Sequence, residues 1–166
     1  MANKDKKKAL VLGIGNILLK DEGLGVRAIE FFERMYSFSR EVSCMDGGTA
    51  GLALLSYIKD FSHIIIIDAV AANGHPGSIL KFKGDEVLKG PPLRTSAHQL
   101  GVTDLLTLLK FEGYSPEVAI IGVIPEDYSA GLELSPSISK VLPEIAEAIS
   151  DELAAFGFKT KRKNHA

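Results

Sequence analysis

Four consecutive isoleucines, Ile64 to Ile67, run directly into Asp68. β-Branched at every position and with no polar residue alternating among them, they read as a strand buried on both faces, which must be covered by a layer on each side. Ala9–Ile14 is a second apolar run, ending among glycines; Val42–Met45 is a third, ending at Asp46; Glu117–Val123 is the last, stopped by Pro125. Between these strands the pattern changes to helical spacing.

Leu24, Ala28, Phe31 and Met35 mark the first helix, with Asp21 placed to cap its start and Glu22 in or just before its first turn. Thr49 is positioned to cap a second, carrying Leu52, Leu55 and Ile58. Ser96 and Gln99 stand in capping-box spacing ahead of Val102, Leu105, Leu106 and Leu109. Ser135-Pro136 opens a fourth, whose stripe of Ile138, Val141, Leu142, Ile145, Ile149 and Leu153 runs to Gly157 past an expected kink at Pro143. The stretch between Asp68 and the alternating Ile79–Phe82 contains Asn73-Gly74 and Pro76-Gly77 and is too short for a helical crossover, which predicts an antiparallel strand. The expected fold is α/β: a three-layer α/β/α sandwich on a mostly parallel twisted sheet with one antiparallel strand. With 166 residues, 46% of them hydrophobic, one domain over residues 9–157 is expected, between basic tails at 1–8 and 158–166.

Those tails hide the charge of the body. Setting aside their eight Lys and Arg residues together with Asp5, the 19 basic and 21 acidic residues become 11 and 20, about −9. Such a body repels a phosphate backbone, so no nucleic-acid partner is expected, and the tails read as solvated ends. No apolar run approaches the roughly 20 residues needed to span a bilayer. The start lacks the apolar core of a signal peptide, so a cytoplasmic location and no membrane partner are expected. Cys44 is the single cysteine, which excludes an internal disulfide and a cysteine zinc cage; it reads as a small buried hydrophobe.

The polar clusters gather where strands end and helices begin: Gly13-Ile14-Gly15-Asn16 with Asp21-Glu22, Asp46-Gly47-Gly48-Thr49, Asp68-Ala69, and Ser96-Ala97-His98-Gln99. An open parallel sheet delivers all of these to one edge. Several chemistries fail there. Leu18 replaces the third glycine of a dinucleotide fingerprint, no Gly-Lys-Ser/Thr follows a glycine loop, and neither a nucleophile-elbow serine nor a His-Glu-x-x-His pair is present. Glu22, Asp68 and His98 remain. Singly, each has a structural reading: a helix-dipole complement, a loop cap, a polar residue at a helix start. Together they offer oxygen and nitrogen donors suited to a borderline divalent ion such as zinc or nickel, with positions left for water or substrate.

In these residues the chain resembles the nickel–iron hydrogenase maturation endopeptidases. The resemblance spans about residues 9 to 156 and rests on the run from Gly13 to Gly25, on Asp46-Gly47-Gly48-Thr49, on Asp68-Ala69-Val70 with Pro76-Gly77, on Ser96-Ala97-His98-Gln99 and on Leu134-Ser135-Pro136. It implies an endopeptidase that removes a C-terminal extension from the hydrogenase large-subunit precursor once nickel has been inserted. It further implies that Glu22, Asp68 and His98 contact nickel carried by that substrate, with no stored organic cofactor, and that Asp46 is an auxiliary or substrate-orienting acid beside the cleft. Asp68 or Glu22 is then the proton acceptor, the choice being open. A monomer is expected. Two other readings stay open: a non-catalytic nickel-binding or chaperone-like module for hydrogenase assembly, and an anion site at the Gly15 loop, weakened by the acidic residues crowding that edge.

Overall fold

The computed structural model describes residues 6–48, 50–91, 93 and 102–164. In chain order its elements are β1 (Ala9–Ile14), α1 (Leu24–Met35), β2 (Tyr36–Phe38), β3 (Val42–Gly48), α2 (Leu55–Ile58), β4 (His63–Ala69), β5 (Ile79–Lys83), α3 (Val102–Phe111), β6 (Glu117–Val123), α4 (Pro136–Ala155) and β7 (Thr160–Arg162). The main sheet has the order β3-β1-β4-β6-β5. Its first four strands are parallel, and β5 runs antiparallel to β6 with Ile79 opposite Val123, as the short preceding loop requires.

The isoleucine run lies in the middle of this sheet and feeds both cores. Ile65 and Ile67 join Val11 of β1 with α1 and α4 on one face; Ile64 and Ile66 join Leu10 and Leu12 with Leu54, Ile58 and α3 on the other. This is the three-layer sandwich that the sequence predicts. From β1 the chain passes to one side, into β3, whereas from β4 it passes to the other, so the carboxyl ends of these neighbours frame a topological switch point.

Glycine sets how closely α1 approaches that point. A Cβ on Gly25 would lie 2.2 Å from the Ile67 carbonyl oxygen and 2.4 Å from that of Ile14, and one on Gly13 would lie 2.3 Å from the Gly25 carbonyl oxygen. Helix and strand therefore meet through bare backbone. The dinucleotide fingerprint places its close-packing glycine elsewhere; here the pair Gly13 and Gly25 does that work, and Leu18 is no obstacle.

Several expectations change in detail. The buried residues of α1 are Leu24, Gly25, Val26, Ala28, Ile29 and Phe32, with Phe31 and Met35 only half-buried. Asp21 does not cap α1, whose N-cap is Gly23. The second helix is a 3-10 turn, Gly51–Leu54, leading into a single α-turn; Thr49 lies outside the described residues. The fourth helix continues through Pro143 and ends in a Schellman motif: Gly157 sits at φ 88°, and Phe158 N–H donates to the Leu153 carbonyl at 2.8 Å. The largest correction concerns the segment expected to be a basic C-terminal tail. Thr160–Arg162 pairs antiparallel with β2, and Lys163 N–H donates to the Met35 carbonyl at 2.8 Å. Before β1, Lys7 also packs, its ammonium bonded to the Phe156 carbonyl and 5.1 Å from the centre of the Phe158 ring.

Candidate active site

After β1 the chain turns back on itself. Asn16 N–H donates to the Glu22 carbonyl at 3.1 Å, Leu18 N–H to Asn16 Oδ1 at 3.0 Å, and Glu22 N–H to the Leu19 carbonyl at 3.0 Å. Gly15 allows this closure. At φ 131° it occupies a region closed to most side chains, and a Cβ there would stand 1.9 Å from the Glu22 carbonyl oxygen. The same imagined atom would be 3.5 Å from Asp68 Oδ1. The Glu22 backbone and the Asp68 carboxylate, 46 positions apart in sequence, thus both border Gly15 at the switch point.

Both are buried, Asp68 completely and Glu22 to 7% exposure. Asp68 is the penultimate residue of β4, and its Oδ1 accepts the Ala69 N–H at 2.8 Å, which fixes the carboxylate plane. Asp46 stands apart. It sits exposed on the edge strand opposite Gly13, and its Oδ1 accepts the Gly48 N–H at 2.8 Å, closing a turn in which Gly48 has φ 48°. His98, with Ser96 and Gln99, lies outside the described residues. The described positions on either side of that segment, Leu93 and Val102, are both buried in the cluster containing Val70, and Leu93 forms a β-bridge with Val70, two residues beyond Asp68. Among the described residues no three His, Cys, Asp or Glu side chains are grouped to hold a metal ion.

One residue acquires a role that its sequence position concealed. Asp21 is fully buried, and its carboxylate accepts N–H bonds from Glu126 at 3.0 Å, Asp127 at 2.9 Å and Ser135 at 2.8 Å, with the Ser135 hydroxyl at 2.7 Å. Its neighbour Lys20 bonds Asp127 Oδ2 at 2.7 Å. That hydrogen bond holds the Asp127 carboxyl well below the usual carboxylate range and raises the lysine. The only sequence signal for this arrangement was the cap signature Ser135-Pro136, which gave no hint of its partner. Cys44 is half-buried, and burial pushes its thiol up to about 12, in keeping with a packing role rather than a nucleophile.

A family model described as hydrogenase maturation protease matches residues 26–152. The chain belongs to the hydrogenase maturation protease family. Among the relatives of this maturation protease, the hydrogenase 2 maturation protease of Escherichia coli (strain K12) is 37% identical over 152 residues, covering 90% of this chain and 93% of the relative. The solved structure of the hydrogenase maturating endopeptidase HybD from E. coli superposes with a TM-score of 0.85 at 34% identity, over 94% of this chain and 98% of that one. A second, the [NiFe] hydrogenase maturation protease HybD from Thermococcus kodakarensis, gives a TM-score of 0.72 at 26% identity, over 89% and 99% of the two chains. The protein is therefore a hydrolase of the endopeptidase kind. No helix among the described residues is long and apolar enough to cross a membrane.

Proposed function

We propose that this protease removes the C-terminal extension of a nickel–iron hydrogenase large-subunit precursor after nickel insertion, and that it reads the nickel already bound in that substrate. The observation that carries the proposal is that the turn bearing the buried Glu22 and the carboxylate of the buried Asp68 both border Gly15, at the edge where an α/β sheet binds its ligands. The Asp68 carboxylate, held by the Ala69 N–H, and that of Glu22 are assigned as hard donors to an incoming ion, and His98 is assigned to supply the nitrogen donor. Nickel accepts such a mixed set, and its remaining positions stay with the precursor. Of the two carboxylates, one is available to take the proton of the attacking water; Asp68, oriented by the Ala69 N–H, is the residue assigned here. Asp46, engaged with its own turn, is assigned to orient substrate rather than to react.

The proposal is tested by incubating the protein with nickel-loaded and with nickel-free precursor and measuring product mass. Shortening only of the nickel-loaded form is expected; equal shortening of both, or of neither, overturns it. His98→Gln removes the nitrogen ligand, and it should weaken capture of the nickel-loaded form while leaving binding of the nickel-free form unchanged.

A further inference from the structure

Glu22 lies in the 3-10 turn Lys20–Gly23, and four residues cannot hold such a turn at a fixed place by their own hydrogen bonds. The anchoring comes from outside it. Asp21 takes four donors from two distant stretches: the Glu126-Asp127 loop after β6, and Ser135 at the start of α4. In the reverse direction Asp21 N–H donates to the Asp127 carbonyl at 2.9 Å, and Lys20 N–H to the Gly131 carbonyl at 3.0 Å. A second observation points the same way. Lys20 has φ 43°, the only positive value at a non-glycine residue among those described, and its side chain is tied to Asp127. A backbone held in a sparsely populated region persists only where its surroundings impose it, and such positions gather at functional sites.

We infer that Asp21 is a positioning residue for the cleavage reaction: with Ser135 it clamps the turn and so fixes the Glu22 backbone beside Gly15, at the edge where β4 ends in Asp68-Ala69. The inference rests on the reading of Glu22 as a contact to the substrate's nickel. All donors to Asp21 are N–H or O–H groups, so a neutral Asn, which must present an NH2 to one of them, breaks the pattern while keeping the volume. Loss of a group that orients a metal contact costs about 10- to 100-fold in metal affinity or activity.

The test compares binding of nickel-loaded and nickel-free precursor by Asp21→Asn, Ser135→Ala, Ser135→Thr and Glu22→Gln, at a temperature where each variant is folded. Asp21→Asn and Ser135→Ala should weaken binding of the nickel-loaded form about 10-fold or more and leave that of the nickel-free form unchanged. Ser135→Thr, which retains the hydroxyl, should restore it. Should Asp21→Asn fail to fold, the two Ser135 variants decide the question alone. A clamp that merely supports the fold would lower both affinities together or neither, and either result overturns the positioning role. Glu22→Gln separates the two layers of argument: if it keeps the preference for nickel, the reading of the site fails. If it loses that preference while the folded Asp21 and Ser135 variants keep it, only the clamp fails.

Discussion

At the carboxyl end of the sheet the buried Asp21 is satisfied by neutral donors, three backbone N–H groups and one hydroxyl, whereas at the amino end the buried Glu152 of α4 is met by a cation, Lys83 Nζ, 2.6 Å from Oε2 but not aligned as a hydrogen bond. The contrast extends to the neighbours. Around Glu152 the contacts come from side chains: Lys83 lies 5.9 Å from the Phe156 ring centre, and His63 packs against the Phe156 and Phe158 rings at 4.8 and 5.4 Å. Around Gly25 the contacts are backbone against backbone, and the nearest atom to Gly15 is likewise a backbone carbonyl. Side-chain contacts yield when one partner changes rotamer, whereas backbone contacts shift only with the whole element. The amino end is therefore built for cohesion and the carboxyl end for placement, which suits a reaction sensitive to misplacement of about 1 Å.

Substitutions at the two ends should separate these roles. Asp68→Asn removes a charge at the placed end without changing size, so cleavage of nickel-loaded precursor should fall at least ~100-fold with the melting temperature nearly unchanged. Near-normal product formation by the folded variant would remove Asp68 from the reaction. Gly25→Ala adds one carbon where the Ile14 and Ile67 carbonyls already stand, and should destabilise the protein by about 2–3 kcal/mol in denaturant titrations, with activity falling alongside. Were it tolerated, α1 would be free to slide and the contrast between the ends would dissolve.

Deleting residues 160–166 acts on the cohesive end. It removes the pairing of β7 with β2 and the bond to Met35, a loss of about 1–2 kcal/mol, while the cleavage rate of the folded enzyme stays at the full-length value. The smallest effect concerns His63, whose pKa burial lowers, Lys7 adding to the shift and Glu117 opposing it. Its ring is neutral in both states above about pH 6.5. As the pH falls below that, the unfolded chain binds the proton first, so this contribution to stability is lost on acidification. His63→Phe should flatten that part of the stability profile between pH 7.5 and 5, measured as denaturation midpoints, without altering cleavage.

How much of this was legible in the sequence depends on the range of the forces involved. The strand order's central member followed from Ile64–Ile67, because burial on both faces is written in local composition. The antiparallel β5 followed from a loop length, and the placement of Asp68 at the carboxyl end of a strand from the isoleucine run before it. Gly25 gave no such signal: a glycine inside a helical stripe looks like a weakness until its neighbours across the sheet are known. The ribbon of β2 and β7 escaped because three-residue strands of polar or mixed character have no period to read, and lysines near a terminus look solvated. Asp21 was assigned to the helix beside it in sequence, yet its partners lie 105 to 114 residues away. Hydrogen bonds over that span leave no local pattern.

That span also bears on synthesis. A ribosome adding roughly 5–20 residues per second needs about 6–23 s after Asp21 is made to add the 114 residues that bring Ser135 into the chain. During that interval β1, β3 and β4 can all pair, but the turn bearing Glu22 has only its local hydrogen bonds and lacks the partners of Asp21. The edge that carries Asp21 and Glu22 is thus among the last parts of the molecule to set, and a nascent chain lacks the fastening of that turn until most of its length has been translated.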